Sequence, residues 1–102
     1  MMVLKGVLKE SREYYQQIAS EIKGLLRRLP KGSIKRRRIN RQFYYYLQSR
    51  KGPKVVHKYL GKQDPKELQK QLKERHQLEN ELKKIYESLH LLNRMRKRKR
   101  NK

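Results

Sequence analysis

The chain has no cysteine. Disulfide staples, thiolate zinc sites and a cysteine nucleophile are excluded, and the composition fits a reducing interior. Long apolar runs are missing too. The opening stretch MMVLKGVLKESREYY is broken by Lys5 and Lys9, which leaves too short an apolar segment for a signal peptide. Nothing approaches the roughly 20 apolar residues of a membrane span. The expectation is a soluble, cytoplasmic protein with no membrane partner. Leu, Ile, Val and Phe together supply only 24 of the 102 residues. A core is possible but small, and a bound partner would add stability.

Acids are scarce in a more telling way. Nine Asp and Glu face 30 Lys and Arg, a formal net charge of +21. Such a chain repels itself, and binding a polyanion relieves the repulsion. Between Ile22 and Gln63 there is no acid at all, while 14 residues are Lys or Arg. Six of the nine acids come later, where Glu67, Glu74, Glu79 and Glu81 interleave with lysines as on an ordinary solvated helix. The same scarcity removes catalytic options. No carboxylate pair, Ser/His/Asp set or glycine-rich phosphate loop is present. His57, His76 and His90 share no ligand spacing; the last two, on one helix, would stand about 21 Å apart. A non-enzyme without metal or cofactor is expected.

What is present falls into three zones. From residue 8 to Leu29, apolar residues recur at Tyr15, Ile18, Ile22, Leu25, Leu26 and Leu29, one face of a helix. Pro30 and Gly32 end it. Residues 33–60 change to strand chemistry, with turn signals at Asn40-Arg41 and Lys51-Gly52-Pro53. Three antiparallel strands are expected at 33–39, 43–49 and 54–60. A Lys51-Gly52 turn would set Leu47 opposite Val56, Tyr45 opposite Lys58 and Phe43 opposite Leu60. The other face would then pair Tyr46 with His57 and Tyr44 with Tyr59. Tyr45 belongs with the core on this reading.

The third zone opens with QDPKEL. Asp64 can cap, Pro65 suits the first helical position, and Glu67 stands where a capping box needs it. Leu68, Leu72, Leu78, Leu82, Ile85, Leu89 and Leu92 then form one seam. The expected fold is α+β: a helix at 8–29, a three-stranded antiparallel sheet at 33–60 and a long helix at 65–93. Residues 1–93 make one small domain, and residues 94–102 a basic tail.

An unbalanced positive patch beside flat rings suits nucleic acid, which needs cations for phosphates and rings or guanidinium forks for bases. The candidate contacts are Lys35, Arg36, Arg37, Arg38, Arg41, Tyr44, Tyr46, Arg50, Lys51, Lys54 and Lys58, with Arg96, Lys97 and Arg98 from the tail. The bland alternatives are a solvated basic strand and tyrosines that merely pack. A ribbon entering a DNA major groove and a platform for splayed RNA bases both remain open, with DNA placed ahead of RNA.

The segment LPKGSIKRRRINRQFYYYLQSRKGPKVVHKYLGKQDPKEL, with the leucine-rich helix after it, carries a resemblance over residues 29 to about 90. It resembles short prokaryotic and phage proteins, and segments of some transposase-like and Fic-type proteins, that read LPxGS, basic strand, YYYL, glycine turn, Y[LI]GK. Its architecture is also similar to the arm-site DNA-binding domains of tyrosine recombinases, which lay a three-stranded sheet in the major groove, although the long N-terminal helix departs from them. The resemblance supports the hairpins more than any activity; taken with the charge and the rings, the expected role is a non-catalytic accessory subunit of a larger nucleoprotein, such as a mobile-element or phage-related complex. The rival expectation is a helical interaction module, in which the Leu68–Leu92 seam docks a larger protein or a second copy and the charge serves an acidic protein.

Overall fold

Pro30 and Gly32 divide the chain where the helical spacing stops. The computed structural model describes residues 2–100, and side-chain placement for residues 8–95. Helix α1 spans Met2–Arg28, strands β1, β2 and β3 span Ser33–Ile39, Gln42–Lys51 and Lys54–Gly61, and helix α2 spans Lys66–Arg100. The order β1-β2-β3 is antiparallel throughout. This is the α+β arrangement that the residue spacing predicts.

Two compact units make up the chain, one from residues 1–28 with 77–102 and one from residues 29–76. In the helical unit, Ala19 and Ile22 are buried, and they are the only buried apolar residues among those described. The α1 stripe runs through Tyr15, Ile18, Ala19, Ile22 and Leu26, whereas Leu25 falls off it and is exposed. All seven expected α2 seam residues are at least half-buried. Both helices outrun their expected bounds. Ahead of residue 8, where the sequence leaves extension and fraying both open, α1 is helical from Met2, since Gly6 costs a helix only about 1 kcal/mol. α2 continues through the basic run to Arg100 instead of ending at residue 93, because Lys and Arg are good helix formers even where no apolar face exists. Asn101 and Lys102 of the expected tail lie outside the described residues.

The sheet unit is held by two tight hairpins. Ile39 pairs with Gln42, leaving Asn40 and Arg41 as a two-residue turn with φ of 52° and 67°. Positive φ at both central positions matches the twist of the flanking strands. The second turn corrects the expected register. Lys51 pairs with Lys54, so Gly52 and Pro53 are the central residues rather than Lys51 and Gly52. Gly52, at φ 64°, fills the first central position that demands left-handed backbone, and proline's fixed φ suits the second. The pairing therefore shifts by two: Leu47 faces Lys58, Gln48 faces His57 and Tyr46 faces Tyr59. A shift of two keeps every side chain on its expected face. Only the partners change.

Further along, Leu60 is an extra residue, so that Tyr45 stands across from Gly61. Gly32 approaches β2 closely. With φ 125°, an added Cβ would lie 2.6 Å from the Gln48 carbonyl and 2.9 Å from Leu47. At the start of α2 the expected capping box is not what forms. The Asp64 carboxylate accepts from the Gln69 side-chain amide at 2.5 Å, while the Pro65 carbonyl accepts the first intrahelical bond, from the Gln69 N–H. Arg75 fills the gap between Leu72 and Leu78 in the seam. Its guanidinium donates to the Leu29 carbonyl at 3.1 Å, one of the acceptors left over just past the end of α1.

Candidate nucleic-acid interface

Alternation along the strands decides which cations share a face with which rings. Lys35 lies across from Tyr46 and Arg37 across from Tyr44; Tyr46 in turn pairs with Tyr59. One face thus carries Lys35, Arg37, Tyr44, Tyr46, Gln48, His57 and Tyr59. Its rings form a cluster, with Tyr46 and Tyr59 centroids 5.4 Å apart and Tyr44 and Tyr59 6.4 Å apart. Cations sit over them: the Arg37 guanidinium is 5.6 Å from the Tyr46 centroid and Lys62 Nζ is 6.0 Å from that of Tyr44.

The opposite face holds Ile34, Arg36, Arg38, Phe43, Tyr45, Leu47 and Lys58. Here Arg36 and Arg38 lie 4.3 Å and 5.8 Å from the Phe43 centroid. The expected division between a core Tyr45 and surface Tyr44 and Tyr46 is not seen in burial, since all three are half-buried. Cations lie over rings on both faces, over Tyr44 and Tyr46 on one and over Phe43 on the other, so neither face is dry.

The remaining expected contacts lie at the two ends of β2. Arg41 is at the tip of the first hairpin. Lys51 and Lys54 face each other beside the second, and Arg50 pairs with Val55. Ten residues of strand separate these ends, about 30 Å. No small ligand could touch both, whereas an extended polyanion could. Like charges directly opposite, as at Lys51 and Lys54, destabilise a strand pair until an anion bridges them. Arg96, Lys97 and Arg98 belong to the last turns of α2 and not to the sheet unit.

Gln48 and Lys62 are not among the residues the sequence places on the tyrosine face, whereas His57 is. Gln48 and His57 come together only through the true register. Lys62 lies beyond β3, and its place beside Tyr44 goes with the extra Leu60. Among the described residues, no cluster of His, Asp or Glu could hold a metal ion, and no helix is long and apolar enough to cross a membrane.

Neither a curated protein nor a solved structure matches the chain. A family model described as a domain of unknown function, DUF6788, matches residues 4–70. That match takes in α1 from residue 4 on, the whole sheet and the first turn of α2, so every sheet contact described above lies within it. The chain belongs to the DUF6788 family.

Proposed function

We propose that this protein is a non-catalytic nucleic-acid-binding component of a larger nucleoprotein, gripping its partner through the tyrosine face and the cations of β1. One observation carries the reading. Between Ile22 and Gln63 the chain has no acid, and four cations of the sheet unit, Arg36, Arg37, Arg38 and Lys62, are seated over half-buried rings. A cation resting on a ring keeps its full charge for a phosphate, and the ring keeps a flat surface for a base. Purification offers the test. Nucleic-acid ultraviolet absorbance should accompany the protein at low salt and separate from it at high salt. Protein that elutes free of nucleic acid at every salt concentration, and binds none when it is added back, would overturn the reading.

The helical rival has its own support in the helical unit. Leu26, Leu82 and Tyr86 border a largely apolar hollow of about 560 Å³, with Tyr86 also under Lys23 Nζ at 5.3 Å. Leu25 and Leu91 are exposed nearby in sequence to these positions. A docking helix would need such a surface. It would leave the charge of the sheet unit without a use, which is why the nucleic-acid reading is preferred.

A further inference from the structure

The tyrosine face carries a cleft of about 410 Å³ bordered by Lys35, Arg37, Tyr46, Gln48 and His57, with Arg36, between the two β1 cations, also on its lining. We propose that this cleft receives one unpaired nucleotide, with its base on the Tyr46 ring and its edge against Gln48 and His57. The protein would then take single-stranded nucleic acid in preference to duplex. The inference rests on the nucleic-acid reading above and deepens it.

The sheet supplies the spacing. Lys35, Tyr46 and Tyr59 form one row across the three strands, and Ser33, Gln48 and His57 form the next. Rows two residues apart are separated by about 7 Å. A base lying flat on Tyr46 therefore ends where Gln48 and His57 begin. The glutamine amide offers both donors and an acceptor, and neutral imidazole offers one of each, enough to bond a Watson–Crick edge. Lys35 and Arg37 stand on the β1 side, where the phosphate of the same nucleotide would lie.

The ring already has a cation beside it. The Arg37 guanidinium stands 5.6 Å from the Tyr46 centroid, and from there it can either cover the base or swing to the phosphate. Tyr59, 52% exposed and in contact with Tyr46, continues the platform for a neighbouring base. The cleft size lies at the small end of the range for bound small molecules. A paired base cannot reach its floor, because both its faces are stacked and its edge is engaged. The same chemistry could come from ribose or deoxyribose strands.

Anisotropy titrations of labelled oligonucleotides of one sequence test this, comparing single-stranded RNA, single-stranded DNA, duplex DNA and a single strand with abasic positions. The full-length protein and its Tyr46→Leu, Gln48→Ala and His57→Ala variants are used, each checked for a cooperative melt. At least one intact single strand should bind roughly tenfold or more tighter than duplex, and abasic substitution should remove most of that advantage. Gln48→Ala and His57→Ala should weaken binding to the intact single strand while leaving binding to the abasic strand unchanged. Whichever of RNA or DNA binds tighter names the natural strand. Equal binding of duplex, intact and abasic strands overturns the cleft but leaves the nucleic-acid reading standing. No binding to any oligonucleotide removes both.

Discussion

At single residues, the sharpest expectations concern backbone that ordinary side chains avoid. Gly32 and Gly52 both have positive φ, but only Gly32 has β2 pressed against its missing Cβ. Gly52→Ala should cost about 1–2 kcal/mol for the left-handed backbone alone. Gly32→Ala should cost more, about 3 kcal/mol or above, because the Gln48 carbonyl must also move. Urea melts of the two variants check this, and equal costs would mean that β2 does not approach Gly32 so closely. Arg41 is the reverse case, a bulky residue at φ 67° where glycine is easier. Arg41→Gly should raise stability by about 1 kcal/mol and yet weaken nucleic-acid binding. If stability and affinity rose together, the hairpin tip would not touch the partner. Arg75 carries a third expectation. Arg75→Met keeps the bulk but loses the donor to Leu29, and should destabilise by about 1.5–3 kcal/mol.

Individual elements were unequally legible. The α2 seam could be read because leucines at spacings of three and four leave one solution, and the strand faces because alternation has a fixed period of two. The partners across β2 and β3 could not. In KGPK, either Lys51-Gly52 or Gly52-Pro53 can be the central pair, and only the position of the positive φ decides. Ala19 was hidden for another reason: a small residue at a buried position carries little hydrophobic signal. Asp64 invited a capping box by its spacing to Glu67, but Gln69 reaches its carboxylate. The absence of native cysteine makes the register directly testable. A Gln48→Cys/His57→Cys pair stands directly across the strands and should oxidise to a disulfide, whereas Tyr46→Cys/His57→Cys is a diagonal about 7–8 Å apart and should not. The opposite pattern would restore the other turn. On the same face, a Tyr46→Leu/Tyr59→Leu double-mutant cycle should show a coupling of about 0.5–1.5 kcal/mol.

For the whole molecule, charge is the dominant fact. At +21 over 102 residues with two buried apolar residues among those described, folding has little apolar burial to set against self-repulsion. A polyanion would offset that repulsion and stabilise the fold at the same time. The rival of an acidic protein partner shares this electrostatics in part, but not the release of condensed counterions that nucleic acid alone supplies. The decisive measurement is therefore the affinity for the oligonucleotide that binds best, titrated across a salt series. With on the order of 6–10 phosphate contacts, affinity for a single strand should fall by about 10² to 10⁴ between 50 and 200 mM salt. Replacing Arg36, Arg37 and Arg38 together by alanine should make the log–log slope shallower. A flat response to salt, or a slope indifferent to those three arginines, would contradict the claim that this sheet is a nucleic-acid interface.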